Sequence, residues 1–324
     1  MSDLAIVLFI LKYEIMRPIY FYQLLAALFI SLSAFSAENN VTEPIIISGT
    51  KFTYPLIEKW IAEYSKVNPA VNIRLITKMT TSLSPDLNII ANQPTKEEIK
   101  ENQEIIYIGR YALLPVANSK NPLLGTTAKR GLNKKEIDKL FFDVINYDEE
   151  PVKEKPKTQI TIYSRDNTAS TSTALAEYFG HAPSEIRGKK VFGDDIYILS
   201  AIKKDSIGLA YNNLAYLFDT KSRKLKDGIA LLPLDLKKET KGILSGDLDL
   251  VIDVLEKNHI ETIPVEQIGF LYSRQTTRKE VSDFLKWVLT DGQKYNHVEG
   301  FLTLDKQVLT EQTNRLSERL LTLK

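Results

Sequence analysis

After residue 43 the chain alternates short apolar strands with amphipathic helices, and this pattern limits its fold more than any other feature. Residues 44–48 form a short apolar run, after which Leu56, Trp60 and Tyr64 fall on one face of a predicted helix. Residues 71–76 then alternate apolar and polar side chains, as a half-buried strand does. Such alternation is typical of an α/β domain.

The pattern continues along the rest of the chain. Strands are predicted at 105–109 and 112–116, which flank a turn, and at 159–164, 207–211 and 268–272. Helices are predicted at 134–142, 170–179, 195–203, 248–257, 281–290 and 307–321, and a loop at 118–125. No internal repeat or Pro/Ser-rich linker separates two domains. A protein with two lobes joined by strands that cross between them would also lack such a linker.

The composition excludes several classes of function. Lysine and arginine total 42 against 41 acidic residues, so the chain lacks the basic excess with which proteins bind nucleic acid. It has no cysteine, which excludes disulfides, thiolate metal sites and cysteine nucleophiles. The three histidines, His181, His259 and His297, are far apart and lack a metal-ligand spacing. We therefore predict neither a metal nor another cofactor.

Residues 1–36 predict an export signal. Arg17 precedes an apolar run at 24–35, which is shorter than the about 20 residues that a membrane-spanning helix needs. Small residues within 34–36 occupy the positions that a signal peptidase reads. No cysteine follows the run, so a lipid-anchored form is excluded and we expect a soluble periplasmic protein. Met16 is an alternative start, and an uncleaved membrane anchor is the alternative interpretation.

Two strand-to-helix turns, at 47–55 and 162–173, place hydroxyl residues where a helix begins. A helix start presents unpaired N–H groups and about half a positive charge, which suits phosphate-like anions. In the second turn, Arg165 adds a planar guanidinium that can hold an oxyanion through two hydrogen bonds. For each turn alone, ordinary helix capping is the favoured interpretation. Together, on two halves of an α/β chain, they favour an anion held in a cleft.

No enzymatic motif accompanies these turns. The sequence has neither a Gly-x-Ser-x-Gly elbow nor a phosphate-binding loop that ends in Gly-Lys-Ser/Thr. The carboxylate pairs Glu97/Glu98 and Glu149/Glu150 lie in charged segments that we expect to be solvated, whereas a catalytic pair needs burial. We predict no catalytic residue and no enzyme, with a phosphoester hydrolase as the weakest of the alternatives.

After the predicted export signal, the chain has Ser48 to Leu56, then Trp60 and Asn68-Pro69. This opening resembles the periplasmic phosphate-binding proteins of ABC importers. The family pattern there is Gly, Ser, Thr, Thr, an aromatic residue and a proline, followed by a helix with a tryptophan. Four further stretches resemble family segments in the same order, and the likeness covers roughly 44–305. They are Tyr111 to Pro122, Leu132 to Phe142, Ser206 to Tyr211, and Trp287 to Leu304.

This resemblance implies a type II binding-protein fold, in which two lobes are each a mixed sheet flanked by helices and two strands cross between them. The lobes would comprise 44–117 with 216–306, and 118–215, followed by a C-terminal helix at 307–324. The resemblance also implies a small anion in the cleft, namely phosphate or another oxyanion, and an ABC permease as a partner. The matching site residues are Thr50, Lys51, Phe52, Arg165, Asn167, Ser170, Thr171 and Ser172.

The chain also departs from the family pattern. Lys51 stands where the family has a small hydroxyl residue, and Asn167 stands where it has an acid. The Gly-rich loop after the second strand is replaced by 79–82, and no carboxylate lies around 92–94 to accept the proton of a phosphate. Because of these departures, the resemblance supports the predicted fold more strongly than it supports phosphate as the ligand. The alternative hypothesis is therefore an interaction or sensor module of an envelope complex, with a degenerate cleft or one that takes another ligand.

Overall fold

The strands of the described chain all join one mixed sheet. The computed structural model describes residues 43–77, 84–94, 98–143, 159–244, 246–276 and 278–322, so the predicted export signal lies outside the described residues. The strands are β1 (Ile45–Gly49), β2 (Ile73–Leu75), β3 (Leu87–Ile90), β4 (Gln103–Asn118), β5 (Thr161–Arg165), β6 (Lys189–Val191), β7 (Gly208–Asn213), β8 (Ile229–Leu231) and β9 (Val265–Ser273). Their order is β2-β1-β3-β9-β4-β7-β5-β6, with β8 also paired to β4.

The long strand β4 connects the two halves of this sheet. Its residues 103–112 pair antiparallel with β9, whereas 113–117 pair antiparallel with β7. Each half also contains parallel pairs, since β1 pairs with β2 and β3, and β5 pairs with β6 and β7. The mixed sheets predicted for the two lobes are therefore present. The predicted lobe boundaries at 117/118 and 215/216 stay a prediction.

The sequence predicts most of the described helices that are longer than one turn. These helices are α1 (Tyr54–Val67), α2 (Pro122–Thr127), α3 (Lys134–Phe141), α4 (Ser170–Phe179), α5 (Ile196–Lys204), α6 (Leu214–Leu217), α7 (Lys238–Leu244), α8 (Leu248–Lys257), α9 (Lys279–Leu289) and α10 (Lys306–Thr322). The predicted helices that correspond to α3, α4, α5, α8, α9 and α10 agree with these bounds within two residues at each end. The helices α2, α6 and α7 are not among those predicted.

Two local predictions are wrong. The strands predicted around a turn at 105–116 are one strand, β4, with an irregularity between Tyr107 and Gly109. At this irregularity Arg110 exchanges backbone hydrogen bonds with Leu302 and donates from Nε to the Thr303 carbonyl, so a distant segment supports the bulge. The loop predicted at 118–125 contains α2, whose start is capped by the Asn121 side chain.

The C-terminal helix α10 packs on its own chain. Leu316 is buried, and the backbone N–H of Tyr107 in β4 donates to Gln312 Oε1 at 3.1 Å. Val308 and Leu309 pack against the core, so these apolar residues cap the sheet and do not form a free surface. Among the described helices, none combines the length and the apolar character that crossing a bilayer requires.

Gln293 ties the segment after α9 to the crossing strand. Its Nε2 donates to the carbonyl of Ile108 in β4 at 2.8 Å and to that of Val288 at 3.0 Å, and its Oε1 accepts from the Leu304 N–H at 3.4 Å. The side chain is buried, so water cannot replace these partners. Nearby, the indole N–H of Trp60 donates to the Gly292 carbonyl at 2.9 Å, which joins α1 to the same segment.

We expect the substitution Gln293→Met to lower the free energy of unfolding by about 2–4 kcal/mol, because it leaves buried carbonyls without donors. Urea unfolding measures this loss. The matched control is Gln307→Met on the exposed face of α10, which we expect to change stability by about 0.5 kcal/mol or less. Equal effects of the two substitutions would show that the buried network does not hold β4.

Candidate functional site

The first predicted turn follows β1. Gly49 has a φ of +132°, and a Cβ there would lie 2.3 Å from the carbonyl oxygen of Ile89 in β3, so only glycine fits this close approach. Thr50 then donates to that carbonyl oxygen from its backbone N–H at 3.2 Å and from its Oγ1 at 3.3 Å. A short 3-10 turn at Lys51–Thr53 leads directly into α1.

The side chains of Lys51 and Phe52 point to different environments. The Phe52 ring is buried, with its centroid 4.8 Å from that of Tyr111 and 6.4 Å from that of Phe301. Lys51 is exposed. Thr50 holds the N-cap position of the 3-10 turn and makes no capping hydrogen bond with its side chain. The backbone N–H groups that open this turn are therefore not covered by a cap.

The second predicted turn joins β5 to α4. The N-cap position of α4 is Ala169, whose side chain has no oxygen with which to cap the helix. Ser170 and Thr171 follow as the first two helical residues, and their N–H groups have no preceding turn of helix to donate to. Ser172 is buried and donates from Oγ to the Arg165 carbonyl at 3.2 Å, so its hydroxyl is used within the turn.

A single cleft of about 170 Å³ brings the two turns together. Six of the eight predicted site residues line it, and three residues from the loop between β6 and α5 complete it together with Thr168 and Ala169. The predicted residues are Thr50, Lys51, Phe52, Arg165, Ser170 and Thr171, and the loop residues are Gly193, Asp194 and Asp195. Asn167 is exposed and does not line the cleft, and neither does Ser172. Contact of these residues with a ligand stays a prediction.

Arg165 is held by carboxylates of its own chain. Its Nη1 donates to Asp195 Oδ1 at 2.7 Å, its Nη2 to Asp166 Oδ2 at 3.2 Å, and its Nε to the Val191 carbonyl at 3.1 Å. The side chain of Arg165 is 12% exposed and that of Asp195 only 4%. A guanidinium held in this way is fixed in orientation, but part of its hydrogen-bonding capacity is already used.

Asp195 is the centre of this polar cluster. Besides Arg165, its carboxylate accepts from Thr171 Oγ1 at 3.1 Å and from Asn213 Nδ2 at 2.8 Å. Burial raises the pKa of Asp195 above its ordinary value, although the positive charge of Arg165 and the hydrogen bonds from Arg165 and Thr171 oppose that shift. The carboxylate therefore connects the ends of β5 and β7 with the starts of α4 and α5.

Two aspartates, Asp194 and Asp195, form an acidic wall of the cleft that sequence reasoning missed. It treated Asp195 as an ordinary helix start, because aspartate is common at N-cap positions. In the structure, Asp195 holds that position but makes no capping hydrogen bond with its own helix, since its carboxylate is turned toward Arg165. Asp194 accepts from the Ile196 N–H at 3.1 Å and also lines the cleft. Nothing in the local sequence distinguishes such an aspartate from a helix cap.

The cleft therefore presents both donors and acceptors. Lys51 and Arg165 contribute positive charge, Asp194 and Asp195 contribute carboxylates, and Ser170 adds a half-buried hydroxyl group. Within the described residues, no group of three or more His, Asp or Glu side chains is placed to hold a metal ion. This arrangement can hold a small polar ligand that accepts hydrogen bonds at the helix starts and donates to the acidic wall.

Comparisons with known proteins match this fold. No protein-family model matches the chain. In structure, it resembles an ABC-type phosphate transport receptor from Vibrio cholerae, with a TM-score of 0.56 and 11% identity over 80% of this chain and 100% of that one. It also resembles a protein from Clostridium perfringens described as a phosphate ABC transporter substrate-binding protein with bound phosphate. There the TM-score is 0.55 and the identity 14%, over 81% of this chain and 100% of that one.

These similarities confirm the predicted fold class, an α/β protein of the two-lobed type II periplasmic-binding-protein fold. In sequence, the chain is 21% identical to the phosphate-binding protein PstS of Methanocaldococcus jannaschii, over 84% of this chain and 86% of that protein. The predicted resemblance to phosphate-binding proteins of ABC importers is thus confirmed.

We expect Asp195→Asn and Arg165→Met each to lower the free energy of unfolding by about 3–5 kcal/mol. The first leaves the buried Arg165 with Asp166 alone, and the second leaves the buried Asp195 carboxylate without its cation. The double variant should lose less than the sum of the two, by about 0.5–3 kcal/mol. Chemical unfolding of all three variants measures this coupling.

The matched control is Asp253→Asn in the exposed Lys257–Asp253 pair, where both side chains are more than half exposed. We expect a loss of about 1 kcal/mol or less there. If Asp195→Asn were as mild as this control, the buried pair would not organise the cleft.

Proposed function

We propose that the protein is an exported solute-binding protein that holds phosphate or a related oxyanion in the cleft between the two turns. The observation that carries this proposal is that two uncapped helix starts border one cleft, together with Lys51 and Arg165. Unpaired backbone N–H groups at helix starts are a general means of binding oxyanions. The similarity to phosphate-binding proteins in fold and sequence supports the same proposal.

In this proposal, the anion replaces its hydration shell with fixed donors. The N–H groups of Ser170 and Thr171, the Ser170 hydroxyl and the Lys51 ammonium donate to its oxygens. Arg165 contributes mainly through its charge and by fixing the turn, since two carboxylates already hold its guanidinium. Closure of the two lobes around the ligand would exclude water and strengthen these contacts.

The acidic wall favours an oxyanion that carries a proton. Phosphate at neutral pH bears one or two hydrogens, which can donate to Asp194, whereas sulfate bears none. An unprotonated oxyanion would face a carboxylate with no hydrogen between them, which is unfavourable. Since the cleft supplies an acceptor near Arg165, we propose that it selects phosphate or arsenate over sulfate.

The remaining features of the proposal follow from the sequence and its relatives. Residues 1–36 would direct export to the periplasm, and an ABC permease would receive the ligand. No catalytic step is proposed, because the proteins to which the chain is similar are described as binding proteins and transport receptors. The ligand-binding residues would be Thr50, Lys51, Phe52, Arg165, Ser170 and Thr171. Phe52 would contribute only its backbone, and Thr50 would only line the cleft, because its N–H and its hydroxyl both donate to Ile89.

A second candidate function is an interaction or sensor module with a degenerate cleft. The engagement of Arg165 by Asp166 and Asp195 favours it, because a site specialised for anions would leave its guanidinium free. In that case the cleft would hold no oxyanion, and the fold would serve to bind another component of the envelope.

We expect calorimetric titration of the mature chain with phosphate to show saturable binding, arsenate to compete, and sulfate to bind at least about tenfold more weakly. Lys51→Met should weaken phosphate binding by about tenfold through the loss of a charged donor. The matched control is Lys66→Met at the exposed end of α1, outside the cleft, which should leave binding unchanged.

Two results would contradict the proposal. One is the absence of heat and of any rise in melting temperature with phosphate, arsenate and sulfate, which would favour the interaction module. The other is equal binding of phosphate and sulfate, which would retain an anion site but remove the role of the acidic wall.

A further inference from the structure

Two charged side chains that line the cleft form no ion pair within the described part of the chain, either with each other or with a third residue. Lys51 belongs to the 3-10 turn after β1, and Asp194 to the loop between β6 and α5. By contrast, Arg165 is matched by two carboxylates, those of Asp166 and Asp195. The cleft therefore offers one cation and one carboxylate whose charges the surrounding protein does not balance by direct pairing.

The contacts of Asp194 are with neutral groups. Its Oδ1 accepts from the Ile196 N–H at 3.1 Å, and the Tyr216 hydroxyl also donates to its carboxylate. A cationic donor would form a hydrogen bond about twice as strong as these neutral ones. Asp195 does not offer the same opportunity, because its carboxylate already accepts from three side chains of the protein. Asp194 is thus the carboxylate of the cleft that a ligand cation would pair with.

The charge of an organic phosphate decides what else such a ligand must carry. A phosphate monoester has a charge of about −1.5 to −2 at pH 7, so it is largely unprotonated. When its phosphate lies at the helix starts, it has no hydrogen to donate to Asp194, which also lines the cleft. An ammonium group on the same molecule would supply N–H donors together with the opposite charge.

The cleft has room for both ends of such a molecule. Its volume is about 170 Å³, and one water molecule occupies about 30 Å³ in the liquid. The space is therefore that of about five water molecules, which suffices for a phosphate group joined to a short aliphatic amine. Both Lys51 and Asp194 line this one space, so a single small ligand can meet both charges.

We infer that the preferred ligand is a phosphate monoester that also carries an ammonium group, with its phosphate beside Lys51 at the helix starts and its ammonium at Asp194. This inference rests on the proposed function, because it needs the phosphate to lie at the helix starts. Charge complementarity is the chemistry that recognises the ligand, since each unbalanced charge of the cleft meets an opposite charge. A neutral ester of the same size would leave Asp194 without a cationic partner.

Calorimetric titration with 2-aminoethyl phosphate, ethyl phosphate and inorganic phosphate tests the inference. The two esters differ only in the amine, so the ratio of their dissociation constants isolates the ammonium group. We expect 2-aminoethyl phosphate to bind at least about tenfold more tightly than ethyl phosphate. Asp194→Asn should bring this ratio to about one, and its binding of ethyl phosphate would show that the cleft is intact.

The matched control is Asp253→Asn in α8, which removes the same charge outside the cleft and should leave the ratio unchanged. Three results would each overturn the inference and leave the proposed function standing: equal binding of the two esters, binding of inorganic phosphate alone, or a preference for the amine that survives Asp194→Asn. If none of the three compounds binds, the proposed function fails and this inference fails with it.

Discussion

The buried ion pair between Arg165 and Asp195 is the constraint on which the candidate site depends. Through Thr171 and Asn213, the same carboxylate also reaches the start of α4 and the end of β7. Burying such a pair costs desolvation energy, so the pair contributes little net stability. Removing either partner, however, strongly destabilises the folded protein. Its consequence is geometric, because the uncapped start of α4 is held in one place beside the cleft.

The polar groups around the cleft are divided between structure and binding. Arg165, Thr171, Ser172 and Asp195 satisfy one another and fix the wall. By contrast, the helix starts at Thr50 and Ala169 have no side-chain caps, although a capping residue would stabilise each by about 0.5–2 kcal/mol. Helix starts elsewhere, at Asn213 and Arg278, also lack side-chain caps. What distinguishes the starts at Thr50 and Ala169 is that both line one cleft.

Much of the fold could be predicted from the sequence, because its helices have strong apolar periodicity and clear starts. The crossing strand β4 could not, since its bulge at Gly109 is supported by Leu302 and Thr303, almost 200 residues away in the chain. At the site, hydroxyl residues predicted both turns, and Arg165 added to the prediction of the second. Asp194 and Asp195 gave no local signal, because their role arises only when the loop after β6 folds against β5. Lys51, which departs from the family pattern, lines the cleft and carries a positive charge there. Arg165 contributes less positive charge to the cleft, because Asp166 and Asp195 already pair with it.

A crystal structure of the mature chain grown with arsenate is the most direct test, because the anomalous signal of arsenic locates the anion without reference to any expectation. The predicted result is one arsenic site in the cleft, with arsenate oxygens about 2.7–3.2 Å from the N–H groups of Ser170 and Thr171 and from Lys51 Nζ. An arsenic site elsewhere, or an empty cleft at saturating arsenate, would contradict the central claim that the two helix starts form an oxyanion site.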